Sequence, residues 1–163
     1  KKSHRSNLAG QIHHEYIYDL QKDPWIFNEF QIYINTWLEG WRRFANKPKF
    51  NPKYKLFQMW INRMKAKEYN PIHIHLNCAL SFVLWLEVPQ QMLNETKKKE
   101  TSASNPGDTC FLYGEDKWSV VTEKCFTPRV NTLIIFPADL RHSVMHFNSK
   151  VTRTSVAGNI KFG

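Results

Sequence analysis

From Trp25 onward, apolar side chains return every three or four positions: Trp25, Ile26, Phe30, Ile34, Trp37, Leu38 and Trp41. That spacing draws an apolar stripe along one face of a helix. Asp23-Pro24 ahead of it is a start signal, a capping side chain followed by a residue suited to the first turn. Gly40 weakens the helix near its end, and Pro48 and Pro52 rule out its continuing. The pattern predicts one amphipathic helix over residues 24–45, packed on a sheet, with the aromatic stripe serving as core.

After Pro52 the period drops to two. Strands are predicted over 55–63, 72–76, 81–88, 110–113, 118–122, 132–136, 143–147 and 153–160. Residues 81–88 are almost wholly apolar and end at Pro89, as expected of a strand covered on both faces. Residues 90–109 are polar, with Asn105-Pro106-Gly107 as turn punctuation, and read as a long exposed loop. A helix followed by seven or eight short strands is the pattern of a mainly β sandwich or jelly roll with an N-terminal helix. No internal repeat interrupts it.

The chain of 163 residues accommodates one domain, residues 1–163, with 1–52 as an N-terminal extension and 53–163 as the β core. Its longest apolar stretch, residues 78–88, is broken by Ser81 and Glu87 and falls far short of the roughly 20 residues of a membrane helix. No apolar block follows the basic start, so no signal peptide is visible in the given residues, and no membrane span is expected. Three cysteines, Cys78, Cys110 and Cys125, are an odd number without CxxC spacing. They argue against a disulfide framework or zinc ribbon, and for packing in a reducing, cytoplasmic setting. The net charge of +9 draws on nine Lys and Arg between Arg42 and Lys67 and on Lys97, Lys98 and Lys99. Solvated faces account for these; nucleic acid is the lesser alternative, because no basic recognition motif accompanies them.

Candidate chemistry begins at His73 and His75, one residue apart on a predicted strand, so both imidazoles point to one face. Two nitrogen donors on a rigid strand are half of a site for iron, zinc, copper or nickel rather than calcium or magnesium. Far along the chain, Leu133-Ile134-Ile135-Phe136-Pro137 leads to Arg141-His142-Ser143-Val144, and eleven residues past His142 stands Arg153-Thr154-Ser155. On that last strand Arg153, Ser155, Ala157 and Asn159 share one face, with Val156 and Ile160 on the other. An inward arginine needs an anionic partner, and its planar fork suits a carboxylate; an outward arginine on an edge strand is the equal alternative.

HxH, then 67 residues to a histidine, then eleven to RxS resembles the Fe(II)/2-oxoglutarate-dependent oxygenase superfamily. Within it, the chain is similar to small prolyl-hydroxylase-like proteins of marine bacteria and phages. Trp60-Ile61-Asn62, Leu80-Ser81, Trp85-Leu86-Glu87-Val88-Pro89 and the N-terminal Asn7-Leu8-Ala9-Gly10 add to the likeness. The resemblance covers residues 56–160 and implies a double-stranded β-helix (jelly roll). It implies Fe(II) as metal, with His73 and His142 as first and last ligands. The superfamily usually has Asp or Glu two residues after the first histidine; this chain has His75, which leaves the site one negative charge poorer. Arg153 and Ser155 would hold 2-oxoglutarate, with Asn62, Tyr69, Asn159 and Trp85 as further candidate cosubstrate or substrate contacts. The implied partners are 2-oxoglutarate, O2 and an unidentified substrate, peptidyl by analogy with prolyl hydroxylases. Edge strands make a dimer an option.

Two rivals stand beside this reading. One is a cupin-like dioxygenase with three histidines and no oxoacid, which leaves Arg153 and Ser155 without a reason to face inward. The other is a non-enzymatic β-sandwich binding or structural protein of phage type, supported by the basic excess. His146 reads as an ordinary histidine, His4, His13 and His14 as exposed, and Arg141 as a solvent-facing neighbour of the metal site.

Overall fold

The computed structural model describes residues 9–98, 104–115, 118–119 and 121–163. Two antiparallel sheets make up the β core. The larger holds β1 (Glu15–Ile17), β2 (Tyr54–Lys65), β9 (Thr152–Phe162), β4 (Leu80–Glu87) and β7 (Leu133–Pro137), in that spatial order. The smaller runs β3 (Asn70–His73), β8 (Arg141–Val144), β5 (Thr109–Leu112), β6 (Glu123–Phe126). Helix α1 (Trp25–Phe44) lies within a residue of its predicted bounds.

Strand alternation sorts the larger sheet into two faces. Ile26, Ile34 and Leu38 of α1 are buried against Met59, Leu80, Phe82, Val156 and Ile160, with Phe30 tilted on Phe82 at 4.6 Å. The opposite face carries Trp60, Asn62, Met64, Arg153, Ser155, Ala157 and Asn159, and lines a cavity. Fully burying each such aliphatic side chain contributes about 1.5–3 kcal/mol, so the α1 layer fixes which face of β2, β4 and β9 remains for chemistry. At Gly158 the strands approach too closely for any side chain: a Cβ would stand 2.5 Å from the Phe82 ring and 2.6 Å from the Gln58 carbonyl.

Several expectations need correction. Asp23 does not cap α1; its carboxylate takes hydrogen bonds from the Tyr18 hydroxyl and the Trp25 indole, and Pro24 stands at the cap without a side-chain bond. The polar stretch after Pro89 is not wholly loop. It contains α2 (Gln90–Asn94) and a 3₁₀ turn (Glu95–Lys98), because Met92 buries completely beside Ile12, Met64 and Phe147. Asn148, Ser149 and Glu95 fasten that turn, with two backbone amides and a hydroxyl donating to the carboxylate. The strand expected at 118–122 lies in part outside the described residues; Trp118 is fully exposed in a turn, and pairing begins at Glu123. Strand β1 was unforeseen because its three residues carry no alternation of their own; pairing with β2 makes it a strand. The Asn7-Leu8 and His4 positions lie outside the described residues, as do Lys99 and Glu100 of the basic loop.

Cys110 and Cys125 face each other in register on β5 and β6 and form a disulfide, contrary to the expectation of unpaired cysteines. Two strands distant in the apolar pattern had to be paired before this was visible. The bond removes the support that free cysteines lent to a reducing compartment; Cys78 alone is free. Among the described residues no helix is long and apolar enough to cross a membrane.

Candidate metal and anion site

The two sheets enclose a cavity of about 600 Å³. Three imidazoles converge in it. His73 ends β3, His142 is its register partner on β8, and His75 follows β3 with its backbone amide donating to the Ala138 carbonyl at 2.8 Å. The predicted strand over 72–76 therefore stops at His73, but His75 is still turned inward. One candidate ligand atom from each histidine lies within 4.8 Å of the others, a grouping able to hold a metal ion.

For two of the three rings the second nitrogen is spoken for. His73 Nδ1 donates to the Pro71 carbonyl at 2.7 Å, and His142 Nδ1 to the Leu140 carbonyl at 2.9 Å. Each bond fixes the tautomer that leaves Nε2 as a lone-pair donor. His142 Nε2 stands 3.2 Å from His75 Nε2. With the His142 Nε2 lone pair facing it, His75 Nε2 either donates its own N–H to that lone pair or, in the other tautomer, shares a cation with it. Burial, and after it the neighbouring His142 and His73, pushes the His75 imidazole down to about 3. Burial, then His73, pushes His142 down to about 4 against the raising effect of the Leu140 carbonyl. Burial also lowers His73. All three rings are thus neutral at pH 7, the form in which imidazole binds metals. Trp60 lies 5.8 Å from His75, and Phe111 and Phe136 lie 5.9 and 4.8 Å from His142, an aromatic wall that holds the rings in place.

Arg153 faces inward, as one of the two readings of its strand expected. It is 3% exposed. Burial pushes its guanidinium down to about 10, only partly opposed by Asp108. Nη1 donates to the Gly107 carbonyl at 3.1 Å, but Nε has no partner. Ser155 is buried on the same face, and Thr109 Oγ1 and Asn62 Oδ1 are buried without partners in the same cavity. The unused Arg153 N–H and the unused Thr109 hydroxyl are donors of the kind a carboxylate accepts from, whereas the Asn62 oxygen can only accept.

The other candidates divide. Asn62 and Asn159 line the cavity; Asn159 accepts from the Ser81 hydroxyl at 2.8 Å and donates to Gln58. Trp85 is buried beside Ser155 in register but does not line the cavity, and its indole N–H lacks a partner. Tyr69 is not brought there. It stands 43% exposed in a shallow outer groove, because the turn after β2 carries it past the sheet edge. His146 and Arg141 are exposed outside the site. Sequence reasoning missed Thr109, Asn70, Glu15 and Lys161, all of which line the cavity. For Thr109 a signal existed, since it alternates with Cys110 and shares its face with Phe111. Glu15 offered none, because β1 has no pattern of its own. A second grouping, Asp108 with Cys110 and Cys125, offers no thiolates while its sulfurs are bonded.

Fold and site together define a two-sheet β protein with a three-histidine group and a buried arginine facing one cavity between its sheets. The chain belongs to the family described as "Putative 2OG-Fe(II) oxygenase", whose sequence profile matches residues 58–159. Among solved structures, an oxidoreductase of the 2OG-Fe(II) oxygenase family from Burkholderia pseudomallei is similar with TM-score 0.51 and 18% identity, over 74% of this chain and 50% of that one. The viral collagen prolyl hydroxylase from Paramecium bursaria Chlorella virus-1, solved with 2OG, is similar with TM-score 0.55 and 14% identity, over 90% and 77%. The chain thus spans about half the length of the bacterial protein. At these identities the likeness is one of fold. No curated protein matches the chain.

Proposed function

We propose that this chain is a 2-oxoglutarate-dependent dioxygenase that hydroxylates its substrate at an Fe(II) centre held by His73, His75 and His142. The observation that carries the reading is the meeting of three neutral imidazoles and one buried, incompletely bonded arginine in a single cavity. Three protein ligands leave coordination positions for an oxoacid and oxygen. Iron(II) in such a site, given O2 and 2-oxoglutarate, supplies the oxidising power for attack on an unactivated C–H bond. The residues do the rest. Pro71 and Leu140 hold the tautomers, Arg153 and Ser155 anchor the distal carboxylate, and Trp60, Phe111 and Phe136 exclude water. The strand order of the two sheets supports reading the core, residues 53–163 of one domain, as a double-stranded β-helix.

His75 in place of a carboxylate removes one negative charge from the centre, so the cosubstrate's own carboxylates carry more of the charge balance. A peptidyl residue is the substrate that the fold likeness to the viral collagen prolyl hydroxylase suggests. Adding 2-oxoglutarate to the anaerobic Fe(II) protein should produce a visible charge-transfer band, and aerobic incubation should release succinate. His142→Ala should abolish both. Succinate release that persists in His142→Ala sinks the assignment of the metal.

A further inference from the structure

The cavity has a second cationic pole. Arg153 and Lys161 belong to the same strand and the same face, with Ser155, Ala157 and Asn159 between them. Eight residues of strand span roughly 26 Å. The register places Ala157 opposite Trp60, whose ring lies 5.8 Å from that of His75, so His75 stands by the middle of the stretch of strand between the two cations. A five-carbon diacid gripped at Arg153 cannot also reach Lys161.

Lys161 is half-buried, with its ammonium 3.7 Å from the centroid of the Phe57 ring. Its direct cross-strand partner is Lys55. Like charges placed opposite each other destabilise a sheet, and among the described residues no carboxylate stands within ion-pair distance of either. The cavity that Lys161 lines also carries three exposed apolar side chains, Phe57, Ile74 and Leu76, at 42%, 42% and 71% exposure, with Gln58 and Asn77 beside them in the chain. A paired cation in one cavity with these apolar side chains, along the strand past His75 from the cosubstrate pole, is complementary to an anion on an apolar body.

We infer that the substrate presents an anionic group to Lys161, seconded by Lys55, and lays its apolar part on Phe57, Ile74 and Leu76, leaving the carbon to be oxidised between the two cationic poles. This deepens the oxygenase reading and rests on it. Carboxylate and phosphate share the chemistry, and both a free acid and a peptide side chain can supply the former.

The test is calorimetric titration of the anaerobic Fe(II) and 2-oxoglutarate complex with hexanoate, hexyl phosphate, hexylamine and a short leucine-rich peptide bearing one glutamate. Hexanoate or hexyl phosphate should bind, and hexylamine should not; the peptide against hexanoate distinguishes a peptidyl from a free acid. Lys161→Gln should weaken anion binding about tenfold, as loss of a hydrogen bond to a charged group predicts. Lys161→Arg should restore most of it, and thermal melts of both variants report folding. Equal binding of amine and acid, or unchanged hexanoate affinity in a folded Lys161→Gln, overturns the inference. So does binding of none of the probes. In each case a surviving charge-transfer band shows that the oxygenase reading stands; its loss, with anion binding intact, shows the reverse.

Discussion

At Arg153 a charge has been taken out of water and left one N–H short of partners. Such a residue is costly unless a ligand completes it. Arg153→Met keeps the length and removes the fork, so 2-oxoglutarate affinity of the Fe(II) protein should fall about a hundredfold, in line with truncating one partner of a buried charge pair. Calorimetry reads this directly, and an unchanged affinity removes Arg153 from the site. Two glycines make a contrasting pair. Gly158→Ala drives a Cβ into the Phe82 ring and the Gln58 backbone and should cost about 1–3 kcal/mol in urea unfolding. Gly40→Ala, on the helix with nothing within 4 Å, should gain roughly 0.5–1 kcal/mol. Opposite signs are the expected result, and equal effects would contradict the packing described.

Among the elements, the N-terminal segment is held to the β2–β3 turn by one carboxylate. Glu68 accepts from the Lys65 amide at 2.7 Å, the His13 amide at 3.1 Å and His13 Nδ1 at 2.6 Å. Burial alone would raise its carboxyl, but these hydrogen bonds overcome it and hold the carboxyl below its ordinary 4.5. A carboxyl depressed in the folded state stabilises above its unfolded value and loses that contribution as pH falls through the folded one. Stability should therefore drop on acidification below about pH 4.5, and Glu68→Gln should flatten that limb of the pH profile. A Glu68→Gln protein with the wild-type acid limb would show that the clamp contributes nothing. The helix and the strands with strong period, β2, β4, β7 and β9, were legible in the sequence because each carries its own apolar face. Strand β1, helix α2 and the shift from 118–122 to β6 were not. Their structure is conferred by partners far along the chain.

For the molecule as a whole, the histidine group ties β3, the loop after it and β8 together. A metal that binds only the folded state should raise the melting temperature, by about 2.7 kcal/mol of stability at a hundredfold excess over Kd. Anaerobic Fe(II) should produce this shift in the wild type and not in His142→Ala. A shift of the same size in both would place the metal elsewhere. The three histidines that meet in the cavity were legible as an HxH and a distant histidine, and the shared face of Arg153 and Ser155 by alternation on one strand. Tyr69 was misplaced, and Lys161, Thr109 and Glu15 were overlooked, since nothing local marks a residue as facing a cavity formed by two sheets.

The sequence by itself determined the helix, the main strands, the face each presents, and the family motif, because side-chain periodicity and backbone geometry act over a few residues. Tertiary structure alone decided that His75 turns inward beyond the end of its strand, that Cys110 meets Cys125, and that both ends of β9 contribute a cation to one cavity. Those are facts of register and sheet stacking, which depend on segments tens of residues apart and leave no periodic trace in any one of them.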